Sequence, residues 1–297
     1  MDASIVFSSG NDEDAGCGEK KGDRDLERED YLDPSCPLCG RPGETEKAEP
    51  VPVGRILDRL EALEARNDVS GAERHLRTWL AEAEAIGDLR GQLTLNNEMM
   101  GFYRKAGRGE EALRHAEKAL ALVEQLGLEE TITAGTTCLN AGTVREAFGD
   151  PVGGLALFEK ARANYERNLA PEDARLGGLY NNMGLNLAAL GRFGEAEALF
   201  RQALEVMQAQ PRGEAEQAIT WLNIADALEA RLGMEEAETE ISACLDRAER
   251  LLDTESLPRD GHYAFVCEKC APVFGYYGYF AEEAKLTGRA KEIYGRD

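Results

Sequence analysis

One feature constrains this chain more than any other: small residues return at a fixed period. Ala72, Ala112, Gly154, Ala196 and Ala237 are spaced by 40, 42, 42 and 41 residues, each inside the same surrounding pattern. In the clearest copy, 179–206, Met183-Gly184 is followed by Leu187, Gly191, Ala196, Phe200 and Ala203. The preceding copies carry Ala141-Gly142, Gly149, Gly154, Phe158 and Ala161, and Met99-Met100, Tyr103, Gly107, Ala112 and Ala119. The following copy has Trp221, Ala225, Leu228, Ala237, Ile241 and Cys244, and a weaker first copy has Leu60, Leu63, Asn67, Ala72, Leu76 and Trp79. Apolar residues at helical spacing flank a glycine in most copies, so each reads as helix, turn, helix. The small residues let paired helices approach closely while the large ones fill the grooves between them. One such hairpin leaves an apolar face uncovered, so the copies must stack into a solenoid. No strand-like alternation appears from Val51 onward, and the fold class is all-α.

Two parts follow from the texture of the chain. Residues 1–50 hold 14 acids against 6 bases with few apolar groups, too few to offset an ordering cost of about 1–2 kcal/mol per residue. This stretch is expected to be an acidic, largely disordered tail carrying a Cys36-Pro37-Leu38-Cys39-Gly40 knuckle, with the solenoid over 51–297. Within the solenoid, five repeats occupy 53–253, and an atypical capping repeat occupies 260–297, where Pro272, Gly275 and Gly278 are expected to interrupt the first helix. Tyr263, Phe265, Phe274, Tyr276, Tyr277, Tyr279 and Phe280 crowd that segment. They read as the cover over the open end of a stack, with an aromatic docking patch as the other reading.

The pattern Tyr180, Met183-Gly184, Leu187, Gly191, Ala196, Phe200, Ala203 resembles the tetratricopeptide repeat (TPR), and the resemblance covers 53–253. The longer period is similar to that of the kinesin-light-chain-like branch. The resemblance implies a right-handed superhelical solenoid of helix-turn-helix repeats that binds an extended peptide along its concave face. It also implies a ladder of asparagines at Asn140, Asn182 and Asn223, with Glu98 departing in the second copy and Asn97 and Asn181 beside the row. An amide side chain offers one acceptor and two donors, enough to satisfy a peptide unit; the other reading is that these amides tie neighbouring helices together. Arg104, Lys105 and Asp226 are further candidates for the inner face, basic early and acidic late, suited to orienting a charged segment.

Chemistry is otherwise sparse. The net charge of −22 disfavours nucleic acid and anionic membrane partners. No apolar run reaches the length of a membrane span, and the first residues lack a signal-peptide pattern, so a cytoplasmic protein is expected. Three histidines and the lack of nucleophile-elbow, zincin, phosphate-loop or dinucleotide motifs argue against an enzyme. Cys36 and Cys39, together with Cys267 and Cys270, make a CxxC…CxxC set that suits one structural Zn²⁺, closed within a chain or between two chains. The readings left by the sequence are a non-catalytic scaffold for a protein or peptide partner, a peptide-sensing regulator, or a zinc-stabilised structural subunit.

Overall fold

The structure is a computed structural model that describes residues 49–295; the tail reading of 1–50, with Cys36 and Cys39, lies almost wholly outside those residues. Among the described residues there are twelve helices and no strand. They form six hairpins: α1 (Val53–Ala65) with α2 (Val69–Ile86), α3 (Leu89–Lys105) with α4 (Gly109–Gln125), and α5 (Ile132–Ala147) with α6 (Pro151–Asn168). The second half comprises α7 (Ala174–Ala189) with α8 (Phe193–Gln208), α9 (Glu214–Leu232) with α10 (Met234–Leu252), and α11 (Gly261–Tyr276) with α12 (Phe280–Tyr294). No helix among the described residues is long and apolar enough to cross a membrane.

Local chemistry sets the hairpin boundaries. Each turn within a pair has one residue in the left-handed region: Asn67 (φ 54°), Gly107 (70°), Gly149 (86°), Gly191 (74°), Gly233 (87°) and Gly278 (83°). A side chain costs energy there, and Asn is among the non-glycine residues that tolerate it. At Gly191 the backbone N–H bonds to the Ala188 carbonyl, and Arg192 N–H reaches back to Leu187 at 2.8 Å. That pair of bonds is the Schellman closure of a helix C-terminus. Two of the second helices, α2 and α6, start on a side-chain cap, Asp68 accepting from Gly71 N–H at 2.8 Å and Asp150 from Gly153 N–H at 2.8 Å.

The periodic small residues sit where helices cross. Ala72, Ala112, Ala196 and Ala237 are fully buried, and Gly154 is buried against Gly142, whose carbonyl lies 3.0 Å from where a Gly154 Cβ would stand. One turn away, volume is exchanged across the pair. Gly142 lies under Phe158 and Gly184 under Phe200, so close that added Cβ atoms would sit 2.8 and 2.4 Å from ring carbons. The equivalent positions of the second hairpin hold Met100 and Ala116, both buried; the large side chain has changed helices and the summed volume stays similar.

First helices pack directly on one another from α3 to α5, α7, α9 and α11, which places them on the inner, shorter arc of the stack. Buried apolar residues fall into two clusters that meet in the third hairpin: Ala141, Val144 and Leu157 belong to one, Leu139 and Phe158 to the other. The sixth hairpin corrects one expectation. Pro272 lies inside an unbroken α11. It is exposed, so the ring stands on the water-facing side of the helix, where an interior proline is better tolerated. Gly275 does not break the helix either; it clears space for Glu283, whose Oε2 would lie 2.4 Å from an added Cβ.

Candidate functional site

The asparagines on the inner face work in pairs across neighbouring first helices. Asn97 on α3 donates its Nδ2 to Thr137 Oγ1 at 3.1 Å on α5, and its Oδ1 accepts from Asn140 Nδ2 at 3.3 Å. Two hairpins later, Asn181 Oδ1 on α7 accepts from Asn223 Nδ2 at 3.0 Å and Thr220 Oγ1 at 3.3 Å on α9. The same three-residue staple thus joins the second repeat to the third and the fourth to the fifth. The register places Leu139 at the position of Asn97 and Asn181, so repeats three and four meet without it. Asn181, Asn182 and Asn223 are buried, and Asn97 and Asn140 half-buried. Asn182 has contacts of its own. The structure therefore brings Asn97 to Asn140 and Asn181 to Asn223. Their amides tie the stack together, so a peptide on this face would meet side chains that the scaffold has already oriented.

Sequence reasoning missed Asn186. It is fully buried, and neither its Nδ2 nor its Oδ1 has a hydrogen-bond partner. Its Nδ2 lies 2.9 Å from where a Cβ on Gly154 would stand. The signal was an asparagine at a position where the other copies carry Phe102, Val144 and Ala227.

Charge along the inner face is uneven. Lys105 pairs with Glu64 at 3.3 Å, and Arg145 with Asp150 at 2.7 Å; Arg104 is half-buried at the end of α3 with partners of its own. Early bases are thus largely engaged by the protein. Burial raises the Glu98 carboxyl, Glu64 raises it further and Lys105 opposes. At the other end, Tyr277 Oη lies 2.9 Å from Asp226 Oδ1 and 3.0 Å from Glu229 Oε2, and Tyr276 Oη donates to Glu229 Oε1 at 2.7 Å. Desolvation by the surrounding protein pushes Asp226 up to about 6, with Tyr277 opposing and Glu229 adding. Asp226 nevertheless keeps solvent access, as a side chain inside a groove does. One tyrosine proton cannot serve two carboxylates, and a carboxyl with a raised pKa supplies the second proton readily.

The aromatic segment divides. Tyr263 and Phe274 are buried in the last hairpin, whereas Tyr276 and Phe280 are 58% and 68% exposed. Cys267 and Cys270 are buried in the same hairpin, and burial pushes both thiols up, Cys270 strongly. Such surroundings favour the thiol form. Cys36 and Cys39 lie outside the described residues, and among the described residues no cluster of three or more His, Cys, Asp or Glu is placed to hold a metal. The histidines sit on different hairpins with separate partners. His75 meets the Ile56 carbonyl at 2.9 Å, His115 meets Asn96 at 2.7 Å, and His262 meets Glu216 at 2.7 Å. Burial pushes His115 down to about 4, which keeps its ring neutral.

The family model for the tetratricopeptide repeat matches residues 133–209, spanning α5 to α8. Among solved structures, BtubC (BKLC) from P. vanneervenii is similar at a TM-score of 0.59 and 22% identity, over 67% of this chain and 79% of that one. A Podosopora anserina protein with nearly identical TPR-like repeats, described as a kinesin light chain, is similar at a TM-score of 0.50 and 16% identity, over 68% of this chain and 94% of that one. No curated protein sequence matches significantly. At these identities the structural likeness speaks to fold alone. The repeat period, the six stacked hairpins and the family match over 133–209 agree on a tetratricopeptide-repeat fold.

Proposed function

We propose that this chain is a non-catalytic interaction scaffold that takes an extended segment of a protein partner along the inner face formed by α3, α5, α7, α9 and α11. The observation that carries the reading is the stapled row of first helices. It presents the half-buried Asn97 and Asn140 beside an open stripe on α3, where Thr94, Glu98, Gly101 and Lys105 retain solvent access. Preorganised amides lower the ordering cost of gripping a strand. The acidic pair Asp226 and Glu229 near the far end of the row favours a segment with a basic residue there. Peptide sensing remains the second use of the same face, since a ligand that bridges repeats would shift their packing.

Gly101 supplies the test. A Cβ added there meets nothing within 4 Å, so Gly101→Trp can start a bulky side chain from open space on α3 and obstruct the inner face. Peptides selected from a displayed random library on the intact chain should lose binding to Gly101→Trp at least about tenfold, with unchanged far-UV circular dichroism. Equal binding by both proteins would move the partner site off the inner face.

A further inference from the structure

Six large apolar side chains among the described residues are exposed, and four of them lie at the turns of the last two hairpins: Leu232 (36%), Met234 (42%), Tyr276 (58%) and Phe280 (68%). Leu232 and Met234 flank Gly233 between α9 and α10, and Tyr276 and Phe280 flank the Gly278 turn between α11 and α12. The Tyr276–Glu229 hydrogen bond, 2.7 Å, draws the ends of α9 and α11 together, so the two turns form one edge. Concentrated apolar exposure of this kind marks an interaction surface, whereas scattered exposure is ordinary.

Its surroundings select the partner. Asp226 and Glu229 lie one to two turns before Leu232, and both take their hydrogen bonds from tyrosine hydroxyls. Glu235 and Glu236, both exposed, follow Met234 directly. The local base Arg231 is engaged by Glu197 on α8 at 2.8 Å. The result is an apolar strip rimmed by the carboxyl groups of Asp226, Glu229, Glu235 and Glu236, within a chain of net charge −22.

We infer that this edge is a second docking surface, for a basic amphipathic segment of a protein partner that sets large apolar side chains on Tyr276 and Phe280 and places Lys or Arg against Asp226 and Glu229. Cationic groups beside an exposed tyrosine ring gain from its face as well as from the carboxylates. The apolar strip lies at the turn edge of the stack, and the surface shares only Asp226 and Glu229 with the proposed inner-face site.

The test uses the full chain and a defined probe, a 15-residue amphipathic Lys/Leu peptide, titrated calorimetrically at 150 mM salt. One-to-one binding is expected. Tyr276→Ser with Phe280→Ser should weaken it about tenfold or more, as should Asp226→Asn with Glu229→Gln. Glu117→Gln with Glu124→Gln removes the same charge from exposed sites on α4 and should change affinity less than about twofold. Circular dichroism and the urea midpoint show that each variant is folded. Equal weakening by the α4 pair would overturn the proposal in favour of bulk charge attraction. So would full affinity in both edge variants, or loss on Gly101→Trp alone, which would assign the probe to the inner face. Sedimentation of the intact chain as a dimer, converted to monomer by the Tyr276/Phe280 pair, would replace the proposed partner with a second copy.

Discussion

Adding one methyl group should have opposite effects at two helical glycines. At Gly184 the new Cβ would stand 2.4, 2.7 and 2.9 Å from three ring carbons of Phe200, a residue with 1% exposure. Carbon atoms rest at about 3.5–4.0 Å, so the ring or its helix must give way by about 1 Å. Overpacking of this kind costs about 1–3 kcal/mol, offset by up to about 1 kcal/mol from the better helix propensity of alanine. Gly184→Ala should therefore destabilise by about 1 kcal/mol net. At Gly101, where nothing lies within 4 Å, only the propensity gain acts, and Gly101→Ala should stabilise by about 0.5–1 kcal/mol. Phe200→Ala alone should cost about 3–5 kcal/mol. Gly184→Met with Phe200→Ala rebuilds the Met100/Ala116 arrangement of the second hairpin and should recover about 1–3 kcal/mol relative to the summed single costs. Urea unfolding followed at 222 nm gives each value, and an unchanged slope establishes that the transitions compare like with like. A Gly184→Ala protein at least as stable as the parent would refute the close-packing account. Additivity of the Gly184→Met and Phe200→Ala costs within about 0.5 kcal/mol would refute the volume exchange.

Replacing Asn181 by Leu, the residue its repeat-three counterpart carries, leaves Asn223 and Thr220 without their common acceptor and should cost about 1–3 kcal/mol by the same urea assay. The raised Asp226 carboxyl, at about 6, means the folded chain holds a proton that the unfolded chain releases at lower pH. Its contribution to stability is therefore fully present below the unfolded value and lost as pH rises through about 6. Asp226→Asn should flatten that fall between about pH 4 and 6 in denaturation midpoints, and an unaltered profile would show that Asp226 is not held in its neutral form. His262, raised by Glu216, loses its stabilising contribution as pH rises past its folded value. His262→Gln should thus weaken the fold on the acidic side and be neutral above it. For the cysteines, the burial of Cys244, Cys267 and Cys270 predicts that a thiol reagent labels them only on unfolding, with or without a chelator. Bound zinc released by Cys270→Ser would instead establish a site shared with Cys36 and Cys39.

The hairpins were legible in the sequence because they are local. A left-handed turn residue, an Asp cap and a small residue at a fixed period act within one hairpin, and Gly107, Gly149 and Gly191 show positive φ where the pattern places turns. Pro272 shows where local rules mislead: they count the missing N–H, while its cost depends on which side of α11 faces water. Candidate-site residues were legible as amides on one helical face, but their partners were not. The pairs that form, Asn97 with Asn140 and Asn181 with Asn223, are 43 and 42 residues apart, and neither follows from aligning Asn140, Asn182 and Asn223 in a single row. Burial of Cys267 and Cys270, and exposure of Tyr276 and Phe280 within one aromatic cluster, were equally hidden. The sequence by itself determined the repeating unit and its turns. The offset and angle between successive units decided which side chains meet, because contacts across more than forty residues depend on how whole hairpins settle against each other.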